Sequence, residues 1–519
     1  MTSRRTLLKT AVAAPAALGS VYAYAKQEPA APLPKTWDME VEVAIAGSGI
    51  AGMSAAIELL DHGIEPVVFE MSENYGGCAY VCGGYLMLEG GTRTQLANGI
   101  KDTPDAFYKR LTDPKNPEMR KNEKNLARAY ADILPGCQVW LEERGVKFSD
   151  KSFTKSGFDT QHPGQYHHVL WHEPGEPKVR PIPGGYMVGM GFMIPLRKYY
   201  EGKGGKILFK HKLLDVYRDA SGRVVGARID NEGKIINVRA KKAVVLAGGS
   251  WKANKKLRKL TDPRFGEDMF SSGYPYVKSD GSAILAGLRA GAMYIADRGQ
   301  DRGHMRRKFG TSRYDWNKNS KYGRPGIECD GMRWAQIIFT NKNGDRFIKE
   351  VDKTDLGGYW FYDLALEQPG QIIWTIFDDK TAKKNRWSVK EPICEKGYAF
   401  SAPTLEELAK TTGQPNLVKT VARYNKFVDA KKDEDFDKPA DMLTTKIEQG
   451  PFYAVRCVLG VHNLTGGLHI NEHGQVLDLN GEVIEGLYAA GETTGGLFHS
   501  AAPRCMATGR LAGQWIASH

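Results

Sequence analysis

No CxxCH occurs in the 519 residues, so the chain offers no attachment point for a c-type haem. Cysteine is sparse and unpatterned. The seven stand at 78, 82, 137, 329, 394, 457 and 505, an odd number without the spacing of a disulfide framework. Cys78-x3-Cys82 is the one close pair and no second pair complements it, so no metal site is expected. Long apolar runs are missing too. The stretch from Ala11 to Tyr24 falls short of the roughly 20 residues that span a bilayer and is broken by Pro15 and Gly19. Nothing downstream is longer, so no membrane span is expected in the mature chain. Positive charge is plentiful, with a formal net charge of +12, but it is scattered and forms no nucleic-acid recognition motif. Without Arg4, Arg5 and Lys9 of the first 25 residues the balance stays strongly positive, which suits an anionic substrate or partner protein.

Those first 25 residues read as an address. Ser3-Arg4-Arg5-Thr6-Leu7-Leu8-Lys9 has the twin-arginine pattern, an apolar stretch follows, and Ala23-Tyr24-Ala25 is a small-x-small cleavage site. Export to the periplasm is therefore expected, by a route that carries folded proteins, with the mature chain starting near Lys26. Residues 26–519 suffice for two domains or one domain with a large insertion.

The richest stretch is Val43 to Glu70. Val43-Ala-Ile-Ala46 is apolar without alternation, the mark of a parallel strand covered on both faces. It runs into Gly47-Ser-Gly49-Ile50-Ala51-Gly52. Gly47 permits a tight turn, Gly49 admits a pyrophosphate close to the backbone, and Gly52 lets the following helix pack on the strand. Glu70 closes the next strand, Pro66-Val-Val-Phe-Glu70, where a carboxylate would accept from ribose hydroxyls. The competing reading is a plain glycine turn between strand and helix, but strand, helix and acid are all in place for a dinucleotide.

Beyond it, Met71 leads to Gly76-Gly77-Cys78 and Cys82-Gly83-Gly84, two glycine pairs suited to backbone wrapped on a flat ligand. Residues 104–146 look helical. Residues 153–180 read as a loop, with His162, Tyr166, His167, His168, Trp171 and His172 lining an entrance or a domain edge. A helix is expected from Gly184 to Tyr200, then extended segments at 206–210, 213–218 and 224–229. Ala243-Val-Val-Leu-Ala247-Gly248-Gly249-Ser250 and Gly486-Leu-Tyr-Ala-Ala-Gly491-Glu492 repeat one design, an apolar strand ending in glycine and a polar residue.

In that order these motifs resemble the flavoprotein family of soluble fumarate reductase, the succinate dehydrogenase flavoprotein subunit, urocanate reductase and 3-ketosteroid 1-dehydrogenase. Asn343-Gly-Asp-Arg346-Phe347-Ile-Lys-Glu350 and His462-Asn463-Leu-Thr-Gly466-Gly467 extend the resemblance over nearly the whole mature chain. It implies an α/β fold, a Rossmann-like FAD-binding domain at 38–270 and 441–519 with an inserted α+β capping domain at 271–440. The implied cofactor is FAD, held by Gly47, Gly49, Ile50, Ala51, Gly52, Glu70, Met71, Gly76, Gly77, Cys78, Gly83, Gly84, Ala247, Gly248, Gly249, Gly491 and Glu492. Some relatives tether flavin through a histidine after the second strand; this chain has none between Glu70 and Lys101, so FAD should be non-covalent.

The implied chemistry moves hydride between flavin N5 and one substrate carbon while a side chain exchanges a proton with its neighbour. Arg504 resembles the arginine that clamps a substrate carboxylate, against the plainer reading of a helix-start arginine paired with an acid. His462 stands one residue before the family's histidine position, which holds Asn463, and is expected to donate to substrate. The family's proton-donating arginine is replaced by Thr354, beside Lys353. Tyr362 and Tyr359 are nominated instead, since a phenol near positive charge both donates and accepts; core packing is the alternative. Expected substrates are unsaturated acids or ketones, with electrons from a separate redox protein such as a cytochrome c or a quinone-linked protein. A ketosteroid-type dehydrogenase and an electron carrier without organic substrate are the other readings.

Overall fold

Val43, Ala44 and Ile45 are sealed from solvent in strand β1 (Met39–Ala46), as an unalternating apolar run between two neighbouring strands requires. The computed structural model describes residues 23, 30–82, 84–116, 119–153, 166–169, 189–261, 264, 270–271, 276–295, 310–311, 331–351, 360–385, 399–458, 460–461, 464 and 466–519. The chain forms two compact units, one from residues 1–263, 272–298 and 463–519, the other from 264–271 and 299–462.

The first unit is built on one sheet. β2 (Pro66–Glu70) lies parallel to β1, and β3 (Lys206–Phe209) lies parallel to β2. β4 (His211–Arg218) and β5 (Val224–Asn231) form an antiparallel meander into the long β6 (Lys234–Leu246). β6 runs parallel to β1 on its other side, and β8 (Val483–Ala489) runs parallel to β6, with β7 (Gln475–Leu477) antiparallel at the edge. The order β7-β8-β6-β1-β2-β3 therefore brings the carboxyl ends of four parallel strands, at Ala46, Glu70, Leu246 and Ala489, to one edge of the sheet. That edge is where open α/β sheets bind ligands.

Helix α1 (Ile50–Asp61) follows β1, and helix α2 (Ala501–Ser518) packs on it. A Cβ on Gly509 would stand 2.2 Å from the Ala51 carbonyl oxygen, so the two helices meet backbone to backbone. Arg510, one residue on, donates to Glu58 Oε1 at 2.6 Å and lies over the Trp140 ring, fastening α2 to α1. The stretch read as a loop at 153–180 contains a strand, Tyr166–Val169, central in a three-stranded antiparallel sheet with Tyr85–Met87 and Phe148–Phe153. His168 stands opposite Tyr85 and His167 opposite Leu86. Cross-strand pairing with distant segments, which a four-residue stretch does not advertise locally, overrides the loop expectation. The expected helix at 184–200 is observed as Met190–Gly202; residues 184–188 lie outside the described residues.

The second unit carries a five-stranded antiparallel sheet of Gly310–Thr311, Ile338–Asn341, Ile373–Asp378, Ala399–Ala402 and Phe452–Val458. Helices Leu405–Thr412 and Leu417–Ala430 contribute Leu408, Val421 and Tyr424 to a core with Ile338, Ile376 and Ala454. The Arg346-Phe347-Ile-Lys-Glu350 segment is explained here. Arg346 donates to Glu350 at 2.8 Å and to Asp433 at 2.9 Å, and Lys438 Nζ lies 3.2 Å from Glu350, all four side chains being sealed from water. Two cations balance two anions, which is what makes their burial tolerable.

Candidate active site

The turn after β1 has the geometry that a phosphate cradle needs. Gly47 takes φ +108°, and a Cβ on Gly52 would lie 2.0 Å from the Gly47 carbonyl oxygen, so α1 seats on the turn only because Gly52 lacks one. Gly49 is the opposite case. A Cβ there meets nothing within 4 Å, and no side chain caps α1 behind it. The first amides of a 12-residue helix thus face open space bordered by backbone, which fits a pyrophosphate.

Glu70 braces this turn. Its Oε2 accepts from the Ser48 amide at 2.9 Å and the Ser48 hydroxyl at 2.6 Å, and its Oε1 from the Ser72 amide at 2.9 Å. A carboxylate has about four acceptor positions, so capacity for a further donor is left beside this bracing. Ser48 Oγ accepts in turn from the Gly76 amide at 3.0 Å, and Gly49 and Gly76 pair as a parallel bridge. The second glycine motif is thereby laid against the first, with a Cβ on Gly77 reaching only to 3.8 Å from the Gly49 Cα. Gly84 has φ +70°, and Met71 follows directly on β2; Gly83 lies outside the described residues.

The other two glycine segments arrive at the same edge. The Ala247 amide donates to Ala46 O and the Ala490 amide to Leu246 O, carrying the sheet register past the strand ends into Gly248-Gly249 and Gly491-Glu492. Gly491, at φ +74°, comes so close to α1 that a Cβ would stand 2.8 Å from that of Ala51. Ile50, Ala51, Gly248, Gly249, Gly491 and Glu492 are thus gathered around the turn from three separate stretches of chain.

The sequence reading missed Lys252. Its buried ammonium donates to Glu492 Oε2 at 3.0 Å and also bonds Cys78, and Ser250 Oγ donates to the same carboxylate oxygen at 3.3 Å. Burial alone pulls the Lys252 ammonium down, but its partners outweigh that and hold it above the usual lysine range. Cys78, whose own thiol is pushed up by burial, and then Glu492 are the partners that raise it. One salt bridge therefore joins the segments after β6 and β8, both of which the sequence assigned to the cofactor, and only the lysine itself gave no sign.

Arg504 occupies the first turn of α2 and is 1% exposed. Its Nη1 donates to Leu497 O at 2.7 Å and its Nη2 to Leu464 O at 2.9 Å. Nε has no partner among the described residues, and none of their acids forms an ion pair with Arg504. The acid-paired reading is thus not what the described residues show. A buried guanidinium satisfied by neutral carbonyls keeps its full charge and a second hydrogen on each terminal nitrogen. His462, Asn463, Lys353, Thr354 and Tyr359 lie outside the described residues; Tyr362 stands in helix Trp360–Glu367, with its side chain outside them. Asn122 and His499, which hold the loop preceding α2, were also missed, for nothing adjacent in sequence marks them.

Among the described residues no group of three or more His, Cys, Asp or Glu side chains is placed to hold a metal, and no helix is long and apolar enough to cross a membrane. A family model described as an FAD binding domain matches residues 42–508. The chain is similar to the probable fumarate reductase Ifc3 of Shewanella frigidimarina, 28% identical over 92% of this chain and 75% of that protein. It is also similar to an NADH:fumarate oxidoreductase of Klebsiella pneumoniae, 27% identical over 89% of this chain but 45% of that protein, spanning less than half of its length. Among solved structures, the open conformation of a flavocytochrome c3 fumarate reductase has 28% identity and a TM-score of 0.70, covering 93% of this chain and 79% of that one. With a glycine cradle fitted to a dinucleotide and a family match running over both units, the chain belongs to the FAD-binding domain family and is an FAD-dependent oxidoreductase.

Proposed function

We propose that the chain interconverts a carbon–carbon double bond and the saturated bond next to a carboxylate. The carrying observation is Arg504, a buried cation without an acid partner among the described residues, 12 residues after Glu492 and on the helix that packs against the cofactor turn. A full positive charge with unused N–H donors favours an anionic carboxylate over a neutral ketone. The relatives, a fumarate reductase and a fumarate oxidoreductase, agree with that class.

FAD, when bound, supplies hydride exchange at its N5. The chain would contribute the rest: Glu70, Ser48 and the α1 amides hold the dinucleotide, Lys252 and Glu492 set the segments beside it, and Arg504 orients the substrate carboxylate and stabilises charge building on it. Tyr359 and Tyr362 remain our nominees for the proton-exchanging group, with His462 as a donor to substrate. We further propose that a separate redox protein supplies electrons and that the twin-arginine leader directs export.

The test is anaerobic. Flavin bleached with dithionite should be reoxidised by enoates such as fumarate, acrylate, crotonate or cinnamate. Arg504→Ala should retain the flavin spectrum and lose at least about 100-fold in reoxidation rate, the scale of losing one oriented charge donor. Full activity in that variant, or reoxidation by no enoate, would overturn the reading.

A further inference from the structure

The loop from Gly495 to Ser500 has no regular structure of its own, so groups outside it must set its course, and it carries the carbonyl on which Arg504 rests. Four consecutive residues are held by five residues outside the loop. Gly496 O accepts from the Glu123 amide at 3.0 Å, and Leu497 O accepts from Arg504 Nη1 at 2.7 Å. Phe498 donates its N–H to Asn122 Oδ1 at 2.5 Å, and its carbonyl accepts from Asn122 Nδ2 at 3.1 Å. His499 places Nδ1 2.7 Å from the Tyr130 hydroxyl and Nε2 3.3 Å from Glu89 Oε1.

The chemistry of these partners fixes their orientation. Asn122 Nδ2 also donates to Leu111 O at 2.9 Å, so both amide hydrogens meet carbonyls and the oxygen meets an N–H; turning the amide over would break all three bonds. Behind His499, Glu89 is bonded by Arg110 at 2.7 Å, and Arg110 reaches Asp102 at 2.7 Å. Tyr130 and Glu89 face opposite nitrogens of a ring 4% exposed, with Phe107 edge-on at 5.3 Å. The ring is thus held between two polar partners, the Tyr130 hydroxyl on Nδ1 and the Glu89 carboxylate on Nε2.

We infer that Asn122 and His499 are positioning residues for Arg504: they fix the Phe498–His499 backbone, which fixes the Leu497 carbonyl, which seats the guanidinium. The inference rests on Arg504 being the carboxylate clamp. A displacement of about 1 Å at such a group is enough to cost about 100-fold, so the loop needs to be pinned by residues outside it.

The experiment uses flavin-loaded enzyme and whichever of fumarate, acrylate, crotonate and cinnamate reoxidises bleached flavin fastest. In Asn122→Ala and His499→Phe, KM for that acid should rise roughly tenfold, while kcat per bound flavin stays within about threefold and the flavin spectrum is unchanged. A merely structural role would lower the melting temperature and the loaded fraction but leave KM of the loaded fraction alone. Asn122→Asp, which keeps the acceptor for the Phe498 amide and loses both donations, should fall between wild type and Asn122→Ala; if the alanine variant does not load flavin, Asn122→Asp is read by the same criterion. KM within twofold of wild type in the loaded variants overturns the inference. Arg504→Lys separates the two ideas: raised KM there with none in the Asn122 and His499 variants sinks the positioning role alone, and unchanged KM in Arg504→Lys sinks the clamp and the inference with it.

Discussion

Lys252 shows how much one side chain decides at the cofactor edge. Its ammonium neutralises Glu492 where neither meets bulk water, and the side chains of the pair are 1% and 9% exposed. Removing one partner of such a pair leaves the other buried and unpaired, at a cost of about 3–5 kcal/mol. Lys252→Met should accordingly lose about that much stability to urea and bind FAD more weakly, whereas Lys252→Met combined with Glu492→Gln should recover much of the stability; equal losses in single and double variants would contradict the pairing. The sign of the pH effect follows from the raised lysine pKa. The folded state holds the proton more tightly than the unfolded state, so this contribution is complete below the ordinary lysine value of 10.5 and is lost as pH rises through the folded value.

At the scale of elements, the contact of α2 with α1 depends on glycine at a point of backbone approach. Gly509→Ala adds about 1 kcal/mol of helix propensity, but the methyl would sit 2.2 Å from a carbonyl oxygen of α1, which is backbone and has no rotamer to escape into. Overpacking of that kind costs typically 1–3 kcal/mol or more and outweighs the propensity. Gly509→Ala should therefore lower the melting temperature, whereas Gly202→Ala, at the end of helix Met190–Gly202 with nothing within 4 Å, should leave it unchanged or raise it. Differential scanning of the two variants side by side checks the argument, and equal effects would refute it. The three-stranded sheet around Tyr166–Val169 is the contrasting element. Its existence depends on pairing with Tyr85–Met87 and Phe148–Phe153, which lie 13 or more positions away, and a local pattern has no access to such partners.

For the whole molecule, both units store stability in carboxylates held below their ordinary range. In the first, burial pushes Glu89 up but His499 and Arg110 prevail; in the second, burial pushes Glu350 and Asp433 up but Arg346 prevails, joined at Glu350 by Lys438. Each binds its proton less readily folded than unfolded, so its contribution is present above the ordinary values of 4.5 for Glu and 3.8 for Asp and is lost as pH falls through the lower folded values. Unfolding midpoints should be flat near neutrality and drop below about pH 4.5, and Arg346→Met should weaken the acid-sensitive part. The glycine turns, the paired apolar strands and the acid at position 70 were legible from the chain alone, because φ requirements, covered strands and strand-end polar residues are properties of neighbouring residues. Folding alone decided what those residues meet: Lys252 finds Glu492 across 240 positions, His499 finds Glu89 across 410, and Arg504 rests on the carbonyls of Leu464 and Leu497 instead of an acid. Such partnerships arise when sheet order and helix packing bring distant segments to one edge, and burial then makes each charge or donor find whatever partner stands there.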